Sequence, residues 1–385
     1  MHWRTRLIHS EARAPQGFRS LATAVERGST VLFEDQAALR DDWDQANGYT
    51  YGAFGSPTVL ELGARIADLE GAAHTFVVPS GQAAIAAVYF ACGRAGSHML
   101  LPESAYVPNQ ELAHEFLSGL GMRIERYDPM LGENIAGLIR DDTALVWTES
   151  PGSVTLEVQD VPAIVRAAHA RQVPVALDNT YAAGILFDAF AHGVDISIQA
   201  LTKYVGGHSD LLLGSVSVRD EALRQRIGNT LKHLGMTVSP DEASLALRGL
   251  KTLGVRLARL EQSTLQVAQW LSQRAEVERV LHPALPSCPG HAIWQRDFTG
   301  SASVFSFILA ERYSAADAAA FADALRLFKA GYSWGGVNSL ALTYRGLNRL
   351  RNAAGNRLVR LNIGLEEPDD LIADLARAFE TLPKV

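Results

Sequence analysis

The chain reads as an α/β protein, with a mostly parallel sheet covered by helices on both faces and a smaller α/β domain after it. Three observations lead there. Short apolar strands alternate with helical segments between about residues 56 and 240. Near 240 the pattern changes to a long helical stretch, beyond which a second region carries strands of its own. Two strands of the first region run into an aspartate and a lysine, at the sheet end where open α/β sheets collect ligands. The expected division is an arm over 1–55, a large domain over 56–243 and a smaller α/β domain over 244–385.

Residues 1–55 are weakly periodic and contain turn-like pieces such as 14–17, so they read as an arm of the kind that packs on a neighbouring subunit. Apolar spacing predicts a helix over 60–69 that stops at Gly71. A short buried strand is expected at 75–78, and Ser80 with Gly81 opens a helix that ends near Gly93. Further strands are expected at 99–101, 145–147, 175–177, 196–198 and 214–218. Pro162 suits the first turn of a helix over 161–170. A helical stretch over 241–274 is expected to break at Gly249 and Gly254, and strands at 304–308 and 358–363 belong to the second domain.

Of the 385 residues 48% are hydrophobic and 20% charged, enough to bury a large core without cross-links. The net charge of -7 lacks the basic stripe that nucleic-acid binding needs. Cys92 and Cys288 stand in no metal-like spacing and read as reduced thiols. His208 and Asp210 are close in sequence, but no ligand set converges by spacing, so no metal is expected. The first residues lack a signal-like apolar run and no segment reaches membrane-span length. The expectation is a soluble, cytoplasmic protein.

Chemistry concentrates at strand ends. Asp178 closes the apolar strand Val175-Ala176-Leu177, and a buried acid is costly without a partner. Taken alone, it could equally cap the next turn. Lys203 comes directly after Ser197-Ile198-Gln199-Ala200-Leu201-Thr202; a lone lysine usually faces solvent. Together they are the two groups that a pyridoxal cofactor needs, one for the Schiff base and one for the pyridine nitrogen. Ser80 and Gly81 at a helix start offer N–H groups to a phosphate. In 358–363, Val359, Leu361 and Ile363 share one face and Arg360 and Asn362 the other.

The sequence resembles the Cys/Met-metabolism family of pyridoxal-phosphate enzymes, of the aspartate-aminotransferase-like fold. The resemblance runs from about Tyr51 to the C-terminus. It is carried by Tyr51-Gly52-Ala53-Phe54-Gly55-Ser56-Pro57-Thr58, Ser80-Gly81, Glu149-Ser150-Pro151-Gly152-Ser153, Asp178-Asn179-Thr180 and Thr202-Lys203-Tyr204 with Gly207-His208-Ser209-Asp210. It continues through His282-Pro283-Ala284-Leu285-Pro286, Arg296-Asp297-Phe298-Thr299-Gly300, Tyr332-Ser333-Trp334-Gly335-Gly336 and Arg360-Leu361-Asn362-Ile363-Gly364. The continuation Tyr181-Ala182-Ala183-Gly184 is similar to the family's cystathionine β-lyases; its γ-enzymes tend to carry Phe-Ala-Thr-Pro there.

The resemblance implies a large domain with a seven-stranded, mostly parallel sheet. It also implies a role for each site residue. Lys203 is the Schiff-base lysine and moves the substrate protons, and Asp178 pairs with the ring nitrogen of pyridoxal 5'-phosphate. Gly81, Gln82 and Thr202 hold the phosphate. Tyr106 stacks on the ring and assists catalysis. Tyr51 reaches the phosphate and substrate of a neighbouring subunit, which implies a homo-oligomer, as a tetramer of paired dimers with shared sites. Arg360 grips the substrate α-carboxylate, with Ser333 and Trp334 beside it. The reaction implied is β-elimination of L-cystathionine to homocysteine, pyruvate and ammonia, within methionine and amino-acid metabolism. Alternatives are γ-lyase or γ-synthase chemistry, β-elimination of another S-substituted cysteine, or a non-catalytic ligand sensor. Where the family carries an arginine two residues after Tyr51, this chain has Ala53. The expectation is a replacement cation or a weakly held cofactor.

Overall fold

The computed structural model describes residues 20–347, 349 and 355–383, with the isolated positions 5 and 17. Most of the arm's first nineteen residues therefore lie outside the described residues. Two sheets organise the chain. The larger has seven strands, β1 (His74–Val78), β2 (His98–Pro102), β3 (Arg123–Tyr127), β4 (Thr143–Glu149), β5 (Val175–Asp178), β6 (Ile196–Gln199) and β7 (Gly214–Val218). Their order is β1-β7-β6-β5-β4-β2-β3. Only β7 runs antiparallel to its neighbours; β6, β5, β4, β2 and β3 pair in parallel. The carboxyl ends of β4, β5 and β6 thus open on one edge.

The strands alternate between two cores. Val146, Val175 and Leu177 pack beneath the Val161–His169 and Leu253–Ser272 helices. Leu145, Trp147, Ala176, Ile196 and Ile198 face the Gly81–Cys92 and Glu221–Leu234 helices. The Gly81–Cys92 helix is apolar nearly all round, as a helix enclosed on both sides must be. β3 was not expected from the sequence. Its residues Arg-Ile-Glu-Arg-Tyr are mostly charged because it is an edge strand, where charge blocks further pairing.

The second sheet, β10-β11-β12-β9-β8, joins β8 (Val277–Leu281), β9 (Val304–Leu309), β10 (Lys329–Ala330), β11 (Leu340–Tyr344) and β12 (Leu358–Asn362). The Ala315–Ala324 and Pro368–Phe379 helices share its core. The expected helical stretch is two helices, Pro240–Leu250 and Leu253–Ser272. The break falls at 251–252; Gly254 lies inside the second helix and breaks nothing. Gly249 is needed for contact rather than for a break, since a Cβ there would meet the Val205 carbonyl oxygen at 2.1 Å. The expected domain limit at 243/244 falls within the first helix, whose Ala243, Ala246 and Leu247 pack on Val59, Leu62 and Ile66.

Arm residues from 20 onward lie on their own chain's helices. The Glu26 N–H donates to Thr58 Oγ1, Arg27 pairs with Asp241, and Trp43 Nε1 donates to Asn229 Oδ1.

Candidate active site

A cleft of about 210 Å³ opens beyond the carboxyl ends of β4, β5 and β6. Its walls include Gly81, Gln82, Tyr106, Asp178, Thr202, Lys203, Trp334 and Arg360, which are far apart in sequence. Ser333 reaches the same place through its hydrogen bonds to Lys203 and Arg360. Tyr51 does not line the cleft of its own chain. It is half exposed, in a bridge with Thr30. Ala53 faces a separate hollow bounded by Trp43, His74 and Lys232.

Lys203 Nζ donates to Ser333 Oγ at 2.5 Å and lies 5.2 Å from the Trp334 ring centre. Burial, with the Arg360 charge second, lowers this lysine from its ordinary 10.5 to about 8; Asp178 opposes the shift. Packing fixes the loop behind it. Arg256 is buried and donates to the carbonyls of Tyr204 (2.6 Å) and Gly249 (2.8 Å). Gly335 approaches so closely that its Cβ would stand 3.2 Å from the Lys203 carbonyl carbon, and its φ of +83° suits glycine.

Ser333 has φ +75°, a left-handed conformation uncommon for a residue with a side chain. It presents Oγ to Lys203 and its carbonyl to Arg360, whose guanidinium donates at 3.1 Å. Asn362 steadies the turn by accepting from the Gly335 N–H at 2.9 Å. Arg360 and Asn362 therefore do share the cleft-side face of β12, while Val359 and Leu361 enter the core. Burial disfavours the charge on Arg360, and the Tyr344 ring centre lies 5.6 Å from its guanidinium.

Asp178 is buried beside Lys203 and accepts from the Thr180 N–H at 3.0 Å. Burial pushes its carboxyl up, while Thr180 and the Lys203 charge favour the ionised form. At the opposite wall, Ser80 caps its helix by accepting from the Ala83 N–H at 3.0 Å, and its carbonyl accepts from Ala84. The N–H groups of Gly81 and Gln82 are left without an acceptor among the described residues. A Cβ at Gly81 would lie 2.7 Å from that of Ala200, so only glycine fits. Thr202 Oγ1 is held at 3.1 Å by the Leu213 carbonyl.

These features fit pyridoxal phosphate. Free helix N–H groups suit a phosphate, a buried aspartate suits a pyridine nitrogen, and a lysine that readily loses its proton suits Schiff-base formation, while the Thr202 hydroxyl is engaged by Leu213. The family profile described as "Cys/Met metabolism PLP-dependent enzyme" matches residues 4–380. The chain belongs to that family. Among its relatives, the cystathionine beta-lyase of Bordetella avium is 42% identical over 92% of this chain and 90% of its own. That of Escherichia coli is 39% identical over 97% of each. The L-alanine/L-glutamate racemase of Wolbachia pipientis is 34% identical over 94% of this chain and 93% of its own. The solved cystathionine gamma synthase of Xanthomonas oryzae pv. oryzae superposes with a TM-score of 0.87 at 30% identity, covering 94% of this chain and 95% of the other.

This member of the Cys/Met family is thus a pyridoxal-phosphate-dependent carbon–sulfur lyase. Among the described residues no cluster suited to a metal ion occurs, and no helix is long and apolar enough to cross a membrane. Glu149, in the sequence only part of a motif, has a place in the site that was not expected. It ends β4 inside the cleft, and an acid one threonine beyond Leu145-Val146-Trp147 is a signal similar to the one that singles out Asp178. Arg256 and Tyr344 carry no comparable signal.

Proposed function

We propose that this enzyme eliminates the sulfur substituent from the β-carbon of L-cystathionine, giving homocysteine, pyruvate and ammonia. The observation that carries the reading is Lys203 Nζ, half-buried beside Ser333, Trp334 and Arg360 with a proton held only to about pH 8. Bound pyridoxal phosphate would supply the electron sink for negative charge at the substrate α-carbon.

The protein's part is holding and proton movement. Arg360 binds the α-carboxylate through a planar fork that lysine lacks. Ser333 and Trp334 wall that end of the substrate. Lys203 would anchor the cofactor and, with Nζ free, would take the α-proton and later return one. Asp178, its ionised form favoured by Thr180 and the Lys203 charge, would hold the cofactor's ring nitrogen. Tyr106 would stack on the cofactor ring; burial and the nearby Asp178 raise its phenol, so it keeps its proton at neutral pH and would act through its ring and O–H. The Gly81 and Gln82 N–H groups would hold the phosphate, joined by the Thr202 hydroxyl once it turns from the Leu213 carbonyl.

The test is product identification with cofactor-loaded protein and L-cystathionine. Homocysteine with pyruvate is expected. Cysteine with 2-oxobutanoate would move the enzyme to the γ-lyases. A yellow protein inert to cystathionine but active on another cysteine S-conjugate would keep the elimination and change the substrate. Ala53, in place of the arginine common in the family, favours that second reading.

A further inference from the structure

Glu149 and Asp178 stand in register at the ends of adjacent parallel strands. Both are more than nine-tenths buried and both line the cleft. Two neighbouring buried carboxyls do not ionise together without strong repulsion. Their surroundings divide the roles. Asp178 has the Thr180 N–H and the positive Lys203. Glu149 is held well above the usual carboxylate range by burial followed by the Asp178 charge, against the Tyr106 N–H and the Arg349 charge, which favour its ionised form.

Glu149 makes one bond that defines its place. Its Oε2 accepts the backbone N–H of Tyr106 at 2.8 Å. Tyr106 begins the short Val107–Glu111 helix, and its own side chain does not cap that helix. The strand end holding Glu149 is itself fixed, because the Glu149 N–H donates to Gln159 Oε1 at 3.0 Å. A rigid strand therefore reaches across the cleft to the residue whose ring borders it.

We propose that Glu149 is a positioning residue, an uncharged acceptor that holds Tyr106 in place through its backbone and leaves the site's negative charge to Asp178. The inference rests on the cofactor site and not on which amino acid is cleaved. Its readouts are therefore taken without substrate: the pyridoxal-phosphate Kd, and the pH midpoint of the bound cofactor's visible absorbance.

Glu149→Gln keeps a neutral acceptor and is expected to leave both readouts unchanged. Glu149→Leu leaves the Tyr106 N–H unpaired and is expected to weaken cofactor binding by about tenfold. If Glu149→Leu does not fold, Glu149→Asp withdraws the acceptor by one methylene and carries the same expectation. A double-mutant cycle separates positioning from general support of the fold. In a Tyr106→Ala background, losing Glu149 should cost no further cofactor affinity. Additive losses would overturn the proposal, as would full affinity in Glu149→Leu. A midpoint lowered by Glu149→Gln would show that a carboxylate charge had been lost, and would overturn it too.

Discussion

Lys203 concentrates the energetics of the site in one atom. Its proton is lost near pH 8 in the folded protein and near 10.5 when unfolded. Below pH 8 the folded, cofactor-free protein carries a buried charge that the unfolded chain carries freely. Between the two values the folded state binds fewer protons, so stability rises with pH and the penalty is gone above about 10.5. Lys203→Met is therefore expected to stabilise the cofactor-free protein at pH 7 by about 3 kcal/mol, fading to nothing at high pH. Melting temperatures of both proteins across pH 7–10.5 measure this. Arg360 gives the second expectation at this scale. Arg360→Lys keeps the charge but loses the fork and the bond to the Ser333 carbonyl, so KM for the amino-acid substrate should rise about 10- to 100-fold. Steady-state kinetics with kcat and KM separated would show it.

At the scale of elements, the site depends on helices that supply no group to the cleft. The Leu253–Ser272 helix begins the passage to the second sheet, and its Arg256 clamps the carbonyls behind Lys203 to the end of the Pro240–Leu250 helix. A Cβ at Gly207 would lie 2.1 Å from that guanidinium. Arg256→Met leaves buried carbonyls unpaired and should cost about 3 kcal/mol of stability. Because the same bonds fix the lysine loop, cofactor affinity should fall with it. Thermal unfolding and pyridoxal-phosphate titration on the same preparation test both parts. Arg256 was not legible beforehand, since an arginine bonded to backbone carbonyls and to one nearby threonine hydroxyl leaves no pattern of charged partners in the sequence.

At the scale of the whole molecule, the single chain does not bring Tyr51 to its own cleft. We propose that the arm completes a neighbour's site in a homo-oligomer. Mixing Lys203→Ala with Tyr51→Ala subunits should then restore activity that neither has alone, through sites combining an intact lysine with an intact tyrosine. Activity that stays absent after verified subunit exchange would remove the shared site. Ala53 belongs to the same question. If the missing arginine loosens the cofactor, Ala53→Arg should slow pyridoxal-phosphate dissociation about tenfold, corresponding to one charge-assisted contact. An unchanged rate would mean that another cation already serves there.

The sequence by itself determined six strands of the large sheet with several of their covering helices, the presence of a second strand-bearing region, and the roles open to Asp178 and Lys203. Those features are local: apolar period, a capping serine, an acid where an apolar strand stops; Lys203 was expected at a strand end and instead stands in the turn beyond β6, which ends at Gln199. Charged edge strands β3 and β8 and the two-residue β10 escaped because edge position and extreme shortness remove the apolar pattern, and β11 was not expected either. Only the tertiary structure decided that Ser333 would meet Lys203 across 130 residues, and that Glu149 would meet Tyr106 and lie beside Asp178. Strand order and loop closure set those distances. The low-polarity cleft they enclose then decides which carboxyl keeps its proton and how readily the lysine gives one up.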